Sequence, residues 1–114
     1  MSTTDQIVAA LGDKTMFVGP LSVKLRESSA ATRASLQDAK LQGRVIEVDG
    51  EWRVHDVCTE VRQVLAGLDG GECNAAAVAK ELPHLGYDWR EMHALMAYMA
   101  ATGEIVCWFG AGEA

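Results

Sequence analysis

The 114-residue sequence predicts a mainly α chain with small β-hairpins, an α+β fold, built from two copies of one supersecondary unit. Three observations predict it. The stretch "AKLQGRVIEVDGEWRVH", Ala39 to His55, reads as the last turn of a helix running through a glycine into a hairpin. A second stretch, "YMAATGEIVCWFG", Tyr98 to Gly110, nearly repeats that passage. Apolar positions also recur at two nearly constant offsets. Thr32, Leu36, Ala39 and Gly43 are matched 60 positions on by Met92, Met96, Met99 and Gly103, and Ile7, Val8 and Leu11 are matched 57 positions on by Val64, Leu65 and Leu68. Two offsets separated by one change of loop length are the trace a duplicated fold leaves.

Taken in order, Ile7, Val8 and Leu11 stand at helical spacing behind the potential caps Thr3, Thr4 and Asp5, and Gly12 ends that first helix. "TMFV" is a brief extended segment. Gly19-Pro20 opens a second helix with Leu21 and Leu25 inward, since proline is best tolerated at a first helical position. Ser28-Ser29 caps a third helix, whose inward side is Thr32, Leu36 and Ala39 and whose end is Gly43. Val45, Ile46 and Val48, then Asp49-Gly50, then Trp52 and Val54, make two strands around a strong two-residue turn signal.

Asp56 caps the next helix, with an apolar stripe of Val57, Val61, Val64, Leu65 and Leu68 before the "DGGE" break. Cys73 marks a short extended piece, Asn74 caps "AAAVAKEL", Pro83 to Gly86 turn, and a last helix runs from about Asp88 to Gly103. The division expected is residues 1–55 and 56–114, with no flexible linker between them.

No run approaches the roughly 20 apolar residues of a membrane span, and "MSTTDQIVAALGDK" lacks the basic start and apolar core of a signal peptide, so a cytoplasmic protein is expected. Three cysteines, Cys58, Cys73 and Cys107, fit reduced thiols better than a disulfide framework. Charge is unevenly placed. Residues 1–55 carry seven Lys/Arg against seven Asp/Glu, whereas residues 56–114 carry Arg62, Lys80 and Arg90 against nine acids. A polyanion would prefer the first half.

Helix, short strand, helix, turn, helix, hairpin resembles the winged-helix branch of the helix-turn-helix superfamily, here as two tandem winged-helix units packed as one compact chain. "LQDAKLQGRVIEVDGEWRV" and "MAYMAATGEIVCWF" carry the resemblance: an apolar residue four before a glycine closes the third helix, and a β-branched strand follows. The second copy departs from the pattern, because "GAGEA" cannot supply a full second wing strand.

The resemblance implies that the third helix meets the major groove while the wing and helix ends hold phosphates. Ser29, Arg33, Gln37, Lys40 and Arg44 fall at spacings of four, four, three and four and share one acid-free face. Arg33 and Gln37 are positioned for base edges; Lys24, Lys40 and Arg44 are placed for phosphates, and Arg53 for phosphates from the wing. A solvated face on a bundle helix is the plain alternative, and Asp38, Glu47, Asp49 and Glu51 oppose nonspecific binding.

In the second copy, Trp89 and Trp108 with Glu91 and Glu104 form a candidate protein interface, the methionines being better suited to a core. His55 and Cys58 make a weak H-x-x-C pair without a second clustered ligand pair, so no metal and no cofactor is expected. No phosphate loop or nucleophile elbow is present, and no enzyme is expected. Two functions remain open. One is a small transcriptional regulator or accessory factor that binds duplex DNA through its first unit, the second unit supporting it or carrying a homodimer contact. The other is an acidic interaction module engaging a basic protein partner, as an inhibitor from a phage or mobile element would when it blocks a nucleic-acid-handling host complex.

Overall fold

The computed structural model describes residues 2–67 and 74–105. Six α-helices and one two-stranded antiparallel hairpin make a mostly helical α+β chain among those residues. The chain divides into two units, Met1–Val57 and Cys58–Ala114.

In the first unit, α1 (Thr4–Leu11) starts at Thr3, whose hydroxyl accepts from the Gln6 backbone while the Gln6 side chain accepts from the Thr3 N–H. That reciprocal pair satisfies two N–H groups that a helix start leaves without acceptors. Met16 then makes a single antiparallel bridge to Trp52. Helix α2 (Val18–Leu25) begins before Gly19-Pro20, so Pro20 sits inside the first turn instead of opening it. The missing proline N–H does no harm there, because first-turn N–H groups have no partner within the helix.

A three-residue turn, Arg26 to Ser28, leads into α3 (Ser29–Leu41), with the Ser28 hydroxyl accepting from the Ala31 N–H. Strands β1 (Val45–Val48) and β2 (Glu51–Val54) follow, paired Val48 to Glu51 and Val45 to Val54. Asp49 and Gly50 both have positive φ, 54° and 82°, which is the two-residue turn whose twist suits a hairpin.

One apolar cluster closes this unit: Ile7, Ala10 and Leu11 from α1, Val18 and Leu21 from α2, Leu36 and Ala39 from α3, and Val45 and Trp52 from the hairpin. Thr32 is fully buried among them, and its hydroxyl donates to Glu27 Oε1 at 3.1 Å, so its burial leaves no orphaned donor.

The second unit holds most of α4 (Val57–Gly67), then α5 (Ala75–Glu81), a 3₁₀ turn at Pro83–Leu85, and α6 (Trp89–Ala101). Asn74 caps α5, and Asp88 and Glu91 form a reciprocal capping box on α6. Helix α5 packs on α6, and Val78, Leu82, Leu85, Met92, Leu95, Met96 and Met99 are buried. Val18 to Ala75 is 57 positions and Ser29 to Trp89 is 60; the 3₁₀ turn falls in the connection where the spacing changes by three. The segment expected to carry the second wing, with Cys107 and Trp108, lies outside the described residues, as do Leu68 and Cys73. No described helix is long and apolar enough to cross a membrane.

Candidate nucleic-acid interface

Helix geometry decides which part of α3 can meet a ligand. Its buried residues Thr32, Ser35, Leu36 and Ala39, with Lys40 at one edge, define an inward arc. At about 100° per residue, the opposite line runs through Ala30 and Ala34, with Gln37 close beside it. Arg33 and Asp38 flank that line on opposite sides, each by about 70°. All five of these outward residues are exposed.

The Arg33 side chain has no hydrogen bond or ion pair among the described residues, and neither has that of Asp38. The two alanines between them leave room for close approach of the backbone. A free guanidinium on such a face can pair with two acceptors at once, as a guanine edge or a phosphate requires. Ser29 is exposed in the first turn, and Arg53 is exposed on β2, likewise without a partner among the described residues.

The stripe expected along Ser29, Arg33, Gln37, Lys40 and Arg44 is not uniformly open, and three of the expected cations have other surroundings. Lys40 is only 5% exposed, so its side chain is not open to a phosphate. Lys24 donates its ammonium to the Ala10 carbonyl at 2.6 Å, serving the end of α1, where a cation meets unpaired carbonyls and the negative end of the helix dipole. Arg44 lies beyond the helix and pairs with Asp5 of α1 at 3.4 Å. The face is also not acid-free, because Asp38 belongs to its outward arc. Gln37 is exposed but engaged in another interaction.

Arg26 is a residue the sequence reading passed over. It is exposed, has no side-chain partner among the described residues, and sits in the turn that delivers α3. The available signal was its place as a basic residue between two helices.

The expected protein interface in the second unit is only partly assembled. Trp89 is 57% exposed at the start of α6, with the Arg90 guanidinium 5.3 Å from its ring centroid. Glu91 is occupied in the Asp88 capping box, and Glu104 pairs with Arg62 at 3.4 Å. Trp108 lies outside the described residues. Met92, Met96 and Met99 are core, as expected. Cys58 is buried. Near it, burial first, then the Cys58 and Glu91 charges, push the Tyr87 phenol far above its usual range. His84 Nε2 meets Glu60 Oε1 at 2.7 Å, tying the 3₁₀ turn to α4.

No protein-family model matches the chain, and no curated protein matches it. Among solved structures, the mRNA-binding domain of elongation factor SelB from E. coli, determined in complex with SECIS RNA, is similar at 22% sequence identity and a TM-score of 0.41, over 87% of this chain and 82% of that one. A likeness of that size leaves function to be read from this chain's own residues.

Proposed function

We propose that the first unit is a winged-helix nucleic-acid-binding unit that docks the outward arc of α3 into the major groove of duplex DNA, and that the protein acts as a regulator or accessory factor by occupying its site. The observation that carries this reading is Arg33: exposed, unpaired among the described residues, and set beside Ala30 and Ala34 on a helix that follows a three-residue turn. Arg33 reads a base edge, Gln37 contributes beside it, and Arg53 holds phosphate from the hairpin. The arrangement of the second unit as a copy of the first, with a supporting role, belongs to the same proposal, which involves no catalysed reaction and no cofactor.

The electrostatics favour selective over indiscriminate binding. Two cations of the expected set are engaged with α1, one is buried, and Asp38 faces outward. Few counterions are then released, so nonspecific affinity is weak and salt-sensitive only to a small degree. Fluorescence anisotropy of a labelled duplex pool at low and moderate salt tests the proposal. Arg33→Ala with Arg53→Ala is expected to abolish most binding; equal affinity of that double variant and the wild type for every duplex overturns it.

A second reading has its own observation in Trp89, an exposed indole in the acidic unit. Such a residue anchors protein interfaces, and surrounding acids would speed encounter with a basic partner. Binding kinetics with a captured partner decide it: Trp89→Ala speeds dissociation if the indole is the anchor and leaves it unchanged if it is not.

A further inference from the structure

The turn between α2 and α3 contains a conformational anomaly. Arg26 has φ 56° and ψ 45°, in the left-handed region. Its N–H donates to the Val23 carbonyl at 3.1 Å, and the Glu27 N–H reaches back to Ser22 at 3.1 Å. This is a helix ending in which the left-handed position normally belongs to glycine, since a Cβ crowds the following carbonyl there. In the second unit the residue 60 positions on is Gly86, with φ 71°, and each is followed two residues later by a capping residue, Ser28 or Asp88. A left-handed residue thus stands two positions before the helix cap in both units, as a relaxed glycine after a 3₁₀ turn in one and as an arginine ending α2 in the other.

The left-handed turn gives the backbone two hydrogen bonds at the end of α2, and the Arg26 side chain takes no part in them. The Arg26 side chain is exposed, and it makes no ion pair or hydrogen bond among the described residues. A strained backbone position whose side chain is left open to solvent is a starting point for a functional hypothesis. Arg26 is three residues before the start of α3 in the chain, and it joins Arg33 and Arg53 as a further exposed cation of the first unit that nothing within the described residues neutralises.

We infer that Arg26 is a phosphate-binding residue of the proposed duplex site, holding a backbone phosphate beside the entry of α3 and so fixing how the helix lies in the groove. This rests on the reading of the first unit as a duplex binder. Its role is sequence-independent, because phosphates position and base edges specify. The chemistry needs a cation with long reach, which glycine cannot supply; the left-handed backbone is the conformational cost of placing one there.

The experiment compares full-length wild type, Arg26→Gly, Arg26→Lys and Arg33→Ala by thermal unfolding and by anisotropy with a duplex pool over a salt series. Arg26→Gly is expected to raise the melting temperature while weakening all duplexes alike by roughly three- to tenfold and reducing the slope of log affinity against log salt by about one. Arg26→Lys keeps charge and strain, and should retain affinity to within about threefold. If Arg26→Gly raises stability but leaves affinity and salt slope unchanged while Arg33→Ala still weakens binding, Arg26 is a strained turn residue only; the inference falls and the duplex reading stands. If wild type binds no duplex at the lowest salt, both fall together.

Discussion

Helices α3 and α6 share a framework and differ in what they carry. Each has 13 residues, a side chain capping its first turn, and a left-handed glycine two residues past its end, Gly43 and Gly103. The chain leaves both in the same way: the Arg44 N–H donates to the Ala39 carbonyl at 3.0 Å, and the Glu104 N–H to the Met99 carbonyl at 2.8 Å. The buried positions also correspond. Thr32, Ser35, Leu36 and Ala39 stand where Met92, Leu95, Met96 and Met99 stand. Yet beside Leu36 the buried side of α3 is made of small and hydroxylated residues, one of which hydrogen-bonds Glu27, whereas α6 is lined by long, flexible apolar side chains. Small residues let a helix approach its neighbours closely; methionines fill a wider and less regular gap.

The outward positions diverge further. Ala30 is matched by Arg90, Arg33 by His93 and Asp38 by Tyr98, and exposed Ser29 in the first turn is matched by Trp89. Caps and burial register arise from backbone hydrogen bonding and the periodicity of the helix, so they tolerate many side chains. The outward arc is under no such constraint, and there one unit presents an unpaired guanidinium and a carboxylate while the other presents aromatic rings and a guanidinium, Arg90, set against one of them.

The strongest test of the shared framework is removal of matched core residues. Leu36→Ala and Met96→Ala are each expected to cost about 2–5 kcal/mol, because both side chains are fully buried and leave cavities. Denaturant unfolding measures this, and a loss well under 1 kcal/mol in either would break the correspondence. Next in size, Arg33→Ala should reduce discrimination between a selected duplex and random duplex by about 1–3 kcal/mol. His93→Ala, at the matching position, should leave it unchanged. Lys40→Ala, by contrast with an exposed phosphate contact, should lower stability through lost packing of its stem and leave the salt slope of duplex binding as it was.

A pH series sharpens the difference between units. Burial raises the Tyr87 phenol in the folded chain, so below its unfolded value of about 10 both states hold the proton and the stabilisation is fully present. Above that value the unfolded chain ionises first, and stability declines with rising pH. Tyr87→Phe should flatten this alkaline decline; an undiminished decline in the variant would assign it to other groups. The smallest effect belongs to Ser35, whose buried hydroxyl has no hydrogen-bond partner among the described residues. Ser35→Ala should change stability by less than about 0.5 kcal/mol or raise it, since removing an unsatisfied polar group relieves a desolvation cost. Thermal unfolding checks this, and a large loss would show that the hydroxyl is satisfied in solution.

Much of the fold was readable from neighbouring residues alone. Asp49-Gly50 announced its turn because positive φ at two successive positions is a local requirement, met by few residue pairs. Asn74 announced a helix start because its side chain reaches only the first turn, and the inward set Thr32, Leu36, Ala39 followed from the helical period. The candidate site was less readable. Periodicity orders residues around α3 but does not say how far along it solvent extends, so Lys40 fell on an apparently polar face that is covered at its end. Arg44 meets Asp5, 39 positions away, and Lys24 meets the Ala10 carbonyl, 14 positions away. Spacing within one helix carries no information about such partners, because packing brings other segments to a charge only once the chain has folded. Arg33 is exposed without a side-chain partner among the described residues, whereas Arg44, just past the turn at Gly43, meets Asp5 of α1.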